Sequence, residues 1–236
     1  MIRRRALLQR AIALGLISPL TACDFDDPAH PDLADKFLSA MSRWNDMVQA
    51  ALFNPHTLAP SFRPDQITRP PRFNAFYDIS QAPVVSPASW RLALSGQIAD
   101  QRPWRLDELQ ALPQQSQITQ LTCVEGWRTI GQWAGVRLSE FLRRVGADLT
   151  CRYVGFHCAD GYYTSIDMAS ALHPQTILAL SFLGAPLTPP FGAPLRLRIP
   201  TKLGFKNPKS LVALSVTNIY PGGYWEDQGY NWFSGS

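Results

Sequence analysis

The chain has 236 residues, of which 46% are hydrophobic and 17% are charged, a length and balance that suit one domain with a substantial core. Four of its 22 basic side chains and none of its 18 acidic ones lie in residues 1–22, so the rest of the chain carries 18 charges of each sign. That neutrality argues against a nucleic-acid partner, and 20 prolines argue against a helical bundle.

Residues 1–22 have the features of an export signal. Three arginines, Arg3–Arg5, precede an apolar stretch, Ala11–Ala22, that is too short to cross a bilayer as a helix. Consecutive arginines before a short apolar stretch favour the twin-arginine route. Because that route exports proteins already folded around a cofactor, it predicts a periplasmic protein that carries one.

The end of this stretch resembles the cleavage box of bacterial lipoproteins. Because it reads Leu20-Thr21-Ala22-Cys23, we expect lipidation of Cys23, and because Asp24 follows, we expect retention at the inner membrane. The lipid anchor would then be the only membrane contact. Simple cleavage near Ala22 without a lipid is one alternative, and an uncleaved signal anchor is another.

Residues 23–71 are predicted to form a helix followed by a wrapping loop. Between His30 and Phe53, apolar side chains recur at steps of three and four, which predicts a long helix. The members of this stripe are Leu33, Phe37, Met41, Trp44, Val48 and Ala51. Because the polar face is not basic, we expect the stripe to pack on the rest of the protein rather than on a membrane or a partner. Prolines in residues 54–71 predict the loop.

Residues 72–236 mix strand and helix patterns without a repeating unit. Apolar alternation predicts strands at 90–96, 118–123, 153–158, 162–166, 176–182, 195–199 and 211–216. Helical spacing predicts short helices at 106–112, 139–146 and 167–172. Because strands and helices intermix, the fold class is predicted as α+β with a mixed sheet.

The cysteines indicate at least one free thiol. Apart from Cys23, the chain has Cys123, Cys151 and Cys158, an odd number for an exported protein. An extended run between Cys151 and Cys158 would separate them by roughly 20 Å, too far for a disulfide. Cys123 follows a predicted strand and begins a turn that ends at Trp127, where a thiolate would be a soft metal ligand. An inert buried thiol is the alternative at this position.

A bent, cationic segment further along the chain predicts an anion site. Five basic side chains fall within fourteen positions: Arg196, Arg198, Lys202, Lys206 and Lys209. Glycine and proline bend this segment, so that backbone N–H groups can join the cations around a phosphate. Strand alternation puts Arg196 and Arg198 on one face. A solvated basic edge that deters aggregation is the alternative.

The Cys-Val-Glu-Gly-Trp turn and the Lys-Leu-Gly-Phe-Lys-Asn-Pro-Lys segment together resemble the molybdopterin domain of the sulfite oxidase family, over residues 72–236. The resemblance implies a mononuclear molybdenum that is held by one molybdopterin, a single pterin, and by one protein cysteine. Cys123 would be this metal ligand and a catalytic residue. We expect no counterpart of the C-terminal dimerisation domain of sulfite oxidases, because the chain ends at Ser236.

The resemblance also implies, position by position, which residues bind the cofactor. They are Asn74, Tyr77, Asp78, Cys158, Phe191, Arg196, Lys202, Gly204, Phe205, Asn207, Pro208 and Lys209. Three of them depart from the family's pattern. Asp78 is shorter than the family's Glu, while Cys158 and Phe191 stand where sulfoxide-reducing members have Thr and Asn. These departures bear on the substrate more than on the cofactor.

Two features near the predicted site leave alternatives open. Glu125 either moves protons coupled to the metal, as a second catalytic residue, or forms a salt bridge. Its partner in that salt bridge would be Arg128 or Arg137. The aromatic segment 221–233 either caps the cofactor pocket or seals the hydrophobic core.

The expected activity is that of a periplasmic molybdopterin-dependent oxidoreductase that transfers an oxo group. We expect it to reduce a sulfoxide-type substrate, small or protein-bound, with electrons from a separate donor such as a membrane haem protein. One alternative is sulfite oxidation, for which Arg128 and Arg152 could supply the cations. The other is a lipoprotein that binds the cofactor without catalysis.

Overall fold

The structure, a computed structural model, describes residues 31–75 and 77–235. The predicted export signal and Cys23 lie outside the described residues. The chain divides into two compact units, 1–44 and 45–236, and both sheets and the cleft described below belong to the second. No described helix is both long and apolar enough to cross a membrane.

The first helix, α1, runs over Pro31–Leu52, in agreement with the prediction from its apolar spacing. Burial of the stripe was expected, but four of its members, Phe37, Met41, Trp44 and Ala51, are exposed. The spacing that predicts a helix therefore does not say what covers its apolar face.

Within the second unit, polar side chains from the last part of α1 contact the C-terminal segment. Asp46 Oδ1 accepts a hydrogen bond from the Phe233 N–H at 2.7 Å, and Gln49 Oε1 accepts one from the Gly235 N–H at 3.2 Å. Backbone N–H groups that lack a strand partner need such acceptors. The polar side of this part of the helix therefore orders the end of the chain.

The second unit is built from short strands and helices. The described strands are β1 Arg91–Gly96, β2 Trp104–Arg105, β3 Gln115–Thr122, β4 Arg128–Arg137, β5 Tyr153–Cys158, β6 Tyr163–Asp167, β7 Ile177–Phe182, β8 Ala185–Pro186, β9 Arg196–Arg198 and β10 Leu211–Thr217. The helices are α2 Leu106–Gln110, α3 Leu138–Arg144 and α4 Met168–Leu172. Every predicted strand and helix is confirmed, with boundaries that differ by at most three residues.

The strands form two five-stranded sheets. The first has the order β2-β1-β10-β5-β6, in which β1 and β10 are parallel and the other pairs are antiparallel. The second has the order β3-β4-β7-β8, with β9 also paired to β7, and it is antiparallel throughout. The prediction of an α+β fold with a mixed sheet is confirmed, and the mixed sheet is the first of the two.

Strand β4 was not predicted from the sequence. Its pattern is broken by Gly131 and Gly135, which depress strand propensity. The fold needs these glycines, because a Cβ at position 131 would lie 2.5 Å from the ring of Phe182. A Cβ at position 135 would lie 2.0 Å from the carbonyl oxygen of Leu178. Close packing of β4 on β7 therefore requires glycine at two positions, and these glycines interrupt the alternating pattern from which a strand is predicted.

The core and the strand ends together position the site. Apolar side chains of the first sheet pack with those of α3, such as Phe141 and Leu142, into one large buried cluster. The ends of three strands lead into the segments that carry candidate site residues. Strand β3 leads into Cys123, β5 leads into the turn that carries Asp160, and β9 leads into the basic segment.

Candidate active site

A cleft of about 410 Å³ opens in the second unit, where several chain segments meet. Its described wall is formed by residues 73–75, 77, 123–125, 127, 160, 162, 204, 205 and 207–209, together with two aromatic side chains of the C-terminal segment. Nine of the predicted site residues line it: Asn74, Tyr77, Cys123, Glu125, Gly204, Phe205, Asn207, Pro208 and Lys209. Segments far apart in the sequence thus bring the predicted thiol and the predicted anion-binding residues to one cavity.

Cys123 lies in a tight turn between β3 and β4. The Cys123 N–H donates to the Trp127 carbonyl at 2.9 Å, and the Gly126 N–H donates to the Cys123 carbonyl at 3.0 Å. Gly126 has φ +88°, a left-handed conformation that a residue with a Cβ rarely adopts. Burial, with a contribution from nearby Glu125, raises the pKa of the half-buried Cys123 thiol. A bound metal cation would favour the thiolate instead.

Glu125 faces the cleft rather than an arginine. Its Oε2 accepts a hydrogen bond from Trp127 Nε1 at 2.7 Å and lies 3.9 Å from Cys123 Sγ. Among the described residues it forms no salt bridge, and Arg137 lies instead beside Glu140 at 3.7 Å. Of the two alternatives left open by the sequence, the cleft-facing one fits this geometry.

Asn207 holds the basic segment in its bent shape. Its Oδ1 accepts from Arg198 at 2.9 Å and from the Ile199 N–H at 2.8 Å, and its Nδ2 donates to the Leu203 carbonyl at 3.0 Å. The Asn207 carbonyl also accepts from Arg196 at 3.1 Å. One amide therefore connects β9, the bend and both buried arginines, while it also lines the cleft.

Three buried cations next to the cleft have no carboxylate partner. Arg196, Arg198 and Lys209 are all buried, yet none of them forms a salt bridge within the described part of the chain. They contact neutral acceptors instead, such as the carbonyls of Phe191 and Pro190, at 3.1 Å each. Because all five cations of the segment are buried, the alternative of a solvated basic edge is wrong.

Burial of these cations without a counter-ion is costly, and their pKa values show it. Burial lowers the pKa of Arg196 to about 10 and that of Arg198, beside Arg196, to about 9. Burial and Arg196 lower the pKa of Lys209 to about 7, although Asp160 opposes the change. Arg198 Nε also has no hydrogen-bond acceptor among the described residues. An anion bound here would offset these costs, which is what the phosphate of molybdopterin requires.

The two remaining lysines of the segment hold the C-terminal segment instead of the cleft. Lys202 Nζ donates to the Phe233 carbonyl at 2.7 Å and lies 3.3 Å from Asp167. Lys206 forms a fully buried ion pair with Glu226. Lys202, which the resemblance assigned to the cofactor, therefore points away from the cleft wall.

Four other predicted residues also lie outside the cleft wall. Asp78 is exposed and accepts from the Ser80 N–H at 2.9 Å, which caps a short 3₁₀ helix. Cys158 and Arg196 are buried behind the wall. Phe191 packs on the ring of Phe182 at 4.7 Å. Three of these four are the positions that depart from the family's pattern.

Several wall residues are not among the predicted catalytic and cofactor-binding residues, although the tyrosines of the 160–163 turn and the aromatic segment 221–233 were possible parts of the pocket. Asp160 and Trp225 line the cleft, as does Tyr230, whose ring lies 5.9 Å from that of Phe205. Tyr162 also lines it and donates its hydroxyl to the Phe205 carbonyl at 2.7 Å. The turn at 160–162 and the aromatic C-terminal segment were the available signals. The C-terminal segment both caps the cleft, through Trp225 and Tyr230, and seals the core, through buried Phe233.

The predictions of a free thiol and of no disulfide between Cys151 and Cys158 agree with the structure. Cys123, Cys151 and Cys158 are all free thiols, and the extended strand β5 separates the last two. No group of three or more histidine, cysteine or acidic side chains in the described ranges is arranged to hold a metal. A single protein thiolate with a separate anion pocket matches the donor set for a metal held mainly by an organic carrier.

Comparisons with known proteins agree with this donor set. The model of the oxidoreductase molybdopterin binding domain matches residues 79–225. The chain is 57% identical over 233 residues to YedZ1 of Azospira oryzae, provisionally named as a protein-methionine-sulfoxide reductase subunit, which covers 99% of this chain and 88% of that protein. It is 32% identical over 179 residues to MsrP of Xanthomonas campestris, a protein-methionine-sulfoxide reductase catalytic subunit, covering 66% of this chain and 56% of MsrP.

A solved structure shares the fold. The sulfane dehydrogenase SoxCD from Paracoccus pantotrophus superposes with a TM-score of 0.55 at 19% identity, over 58% of this chain and 40% of that one. At this identity the likeness concerns the fold alone.

The fold and the cleft define a molybdopterin-dependent oxidoreductase of the sulfite oxidase type, an enzyme whose cofactor is molybdenum–molybdopterin. The chain belongs to the oxidoreductase molybdopterin binding domain family, as the family match over residues 79–225 shows. It spans about half the length of the MsrP relatives that it matches.

Proposed function

We propose that this enzyme reduces a sulfoxide-type substrate in the periplasm by transfer of an oxo group. The proposal depends on one observation: the Cys123 thiol lines the same cleft as Lys209, and Arg196 and Arg198 lie buried behind its wall. None of these three cations forms a salt bridge within the described residues. The names of the relatives YedZ1 and MsrP support the choice of a sulfoxide, because both refer to methionine sulfoxide reduction.

Each part of the cleft has a role in this proposal. Cys123 holds the metal, while Arg196, Arg198 and Lys209 offset the charge of the cofactor's phosphate. When bound, the molybdenum cofactor supplies a two-electron oxygen-atom transfer, so that a sulfoxide, two electrons and two protons give a sulfide and water. Glu125, oriented by the indole N–H of Trp127, is placed to deliver protons into the cleft.

The charge of the cleft favours a sulfoxide over sulfite. Sulfite is a small dianion that calls for convergent cations. In the described lining, Lys209 is the one cation, and Glu125 and Asp160 are carboxylates. Arg128 and Arg152, the cations considered for sulfite, are exposed and lie outside the lining. A neutral sulfoxide avoids the repulsion that sulfite would meet from the two carboxylates.

The proposal also includes a cellular location and a partner. Residues 1–22 would direct export, residues 23–71 would join the anchor to the catalytic part, and residues 72–236 would bind the cofactor. Lipidation of Cys23 would hold the enzyme at the periplasmic face of the inner membrane. Electrons would come from a separate donor there, such as a membrane haem protein. Arg3–Arg5 and the residues before Cys23 support this arrangement.

The test uses full-length protein from a molybdenum-replete host. We expect one molybdenum and one pterin per chain, reduction of methionine sulfoxide by a reduced viologen dye, and little oxidation of sulfite with an artificial acceptor. Sulfite oxidation at a comparable rate, or stoichiometric cofactor without sulfoxide reduction, would refute the proposed substrate. Mass spectrometry of the membrane fraction should find a diacylglyceryl group on Cys23.

A further inference from the structure

Two carboxylates in the cleft wall form no salt bridge within the described residues, although Asp160 lies near enough to Lys209 to oppose the lowering of its pKa. Glu125 is carried by the Cys123 turn and is exposed, and Asp160 is carried by the turn between β5 and β6. Asp160 Oδ1 accepts from the Tyr162 N–H at 3.0 Å, which fixes its orientation. Lys209, the cation of this lining, is buried and donates to the Pro190 carbonyl at 3.1 Å. Within the described lining, the two carboxylates are therefore more accessible than the one cation, Lys209.

Aromatic rings of the same wall already bind cations of this chain. Lys209 Nζ lies 4.2 Å from the ring centroid of Phe73, and Arg72 Cζ lies 5.6 Å from the ring centroid of Trp127. Such distances allow cation–π attraction. Two more rings that line the cleft, Trp225 and Tyr230, extend this surface. A positively charged side chain of a substrate would find both aromatic faces and carboxylates here.

We propose that the cleft selects sulfoxides that lie next to positive charge, namely methionine sulfoxide flanked by Lys or Arg in a polypeptide. Glu125 and Asp160 are the specificity-determining residues, and Arg72, exposed beside Trp127, acts against them. The rim suits a polypeptide because two apolar side chains, Val124 and Tyr230, are 49% and 41% exposed there. This inference rests on the proposed function, since it concerns which sulfoxides the same cleft accepts.

The expected preference is moderate and depends on salt. An opposite charge at about 6–8 Å in a solvated, partly screened cleft changes affinity by a factor of about 1.5 to 2 for each carboxylate. Replacing flanking Lys by flanking Glu turns two attractions into two repulsions, so we expect about a tenfold difference at low ionic strength. At about 0.5 M salt the screening length is shorter than these distances, and the difference should fall below about twofold.

The test compares three peptides that are identical except for the residues on both sides of one methionine sulfoxide, which are Lys, Gln or Glu. The cofactor-loaded enzyme is assayed for kcat/KM with each peptide, using a reduced viologen dye, and peptide binding is measured separately by calorimetry. The quantity compared is the ratio of the Lys peptide to the Glu peptide, which cancels any general loss of activity.

Variants locate the origin of the ratio. Asp160→Asn and Glu125→Gln keep the acceptor oxygens of these side chains while removing the charge, so each should lower the ratio by about threefold. Arg72→Gln should raise it. Asp148→Asn is the matched control, because Asp148 is an exposed carboxylate outside the cleft, and it should leave the ratio unchanged.

Equal affinity for the three peptides, or a ratio that neither cleft variant changes, would overturn this inference. The proposed function fails in a different way. If the Lys peptide binds more tightly than the Glu peptide but neither is reduced, the charge selectivity stands and sulfoxide reduction does not.

Discussion

The two segments that build the cleft are organised in opposite ways. The Cys123 turn is local, because its backbone hydrogen bonds and the Glu125–Trp127 contact all lie within five consecutive residues. The basic segment depends on distant partners. Lys206 pairs with Glu226, and Arg198 donates to the Thr119 hydroxyl, 79 positions away.

Because of this difference, substitutions in the two segments should affect catalysis and folding to different extents. The Cys123 thiol is half-buried and lies 3.9 Å from Glu125 Oε2, a neighbour in the same turn, so we expect the fold not to depend on the sulfur. The cations of the basic segment are buried and divide into two groups: Lys202 and Lys206 contact the C-terminal segment, while Arg196, Arg198 and Lys209 are the proposed partners of the cofactor's phosphate. A substitution in the turn should therefore affect activity alone, and one in the basic segment should affect stability, cofactor binding or both.

The largest effect on activity is expected for Cys123→Ser. Loss of the metal's protein ligand should lower turnover by at least about a hundredfold, since even outer-shell changes at metal sites cost 10–100-fold. The free energy of unfolding of the cofactor-free protein, measured in urea, should change by less than about 0.5 kcal/mol. Cys151→Ser is the control. That thiol is buried outside the cleft, so the variant should lose about 1–3 kcal/mol of stability and keep its activity. Unchanged turnover in Cys123→Ser would contradict the assignment.

The largest effect on stability is expected for Lys206→Met. It leaves the buried carboxylate of Glu226 without its cation, which should lower the free energy of unfolding by about 3–5 kcal/mol. The double variant Lys206→Met/Glu226→Gln should recover part of the loss, because it removes the unpaired charge. Arg105→Met breaks an exposed ion pair with Asp107 and should cost less than about 1 kcal/mol. Equal losses for the buried and the exposed pair would show that the basic segment does not fasten the chain end.

Lys209 should make the stability of the cofactor-free protein depend on pH. Its folded pKa is lowered to about 7 by burial, below the unfolded value of about 10.4, so the unfolded chain binds more protons between these values. Stability should therefore rise with pH across that window, by up to about 1.4 kcal/mol per pH unit from this group. Lys202 and Arg198, also lowered, add to the rise. Urea titrations of Lys209→Met should show a shallower rise, and parallel curves for both proteins would contradict a buried cationic Lys209.

Sequence patterns predicted most of the fold where local signals are strong. Strand β5 has apolar residues at alternate positions, Val154, Phe156 and Cys158, and has the predicted boundaries, while α1 follows its apolar spacing. Strand β4 could not be predicted, because close packing on Phe182 and Leu178 requires glycines that erase its pattern. The exposure of the α1 apolar stripe could not be predicted either, because helical spacing identifies an apolar face but does not show what covers it.

The site shows the same division. Cys123 and Asn207–Lys209 sit in short segments whose composition indicates their chemistry, and the structure places them all in the cleft wall. The sequence could not show that Lys209 lines the cleft whereas Lys202 and Lys206 do not. Acceptors in the C-terminal segment decide where those side chains point, and such contacts leave no local pattern. The sequence around Asp160 indicated a turn but not a site, because the place of Asp160 in the wall depends on segments that are distant in the sequence.

The smallest effect is expected where the two segments touch, at Gly204. A Cβ there would lie 3.2 Å from Leu121 Cδ2 and 3.4 Å from Asn74 Nδ2, at the base of the Cys123 turn. Because a flexible methyl group can yield, Gly204→Ala should cost less than about 1.5 kcal/mol of stability. The loss of bound cofactor should be larger than this small loss of stability suggests. The added methyl group would increase the distance between the Cys123 thiol and the anion pocket.

Gly184→Ala is the matched control for this last prediction. Gly184 has φ +82° and nothing within 4 Å of an added Cβ, so alanine there costs about 1 kcal/mol through backbone strain and leaves the cleft unchanged. The measurement is the molybdenum and pterin content of both variants after dialysis. We expect Gly204→Ala to retain less cofactor than Gly184→Ala at similar stability. Equal retention would mean that the spacing between the local turn and the distant basic segment does not limit cofactor binding.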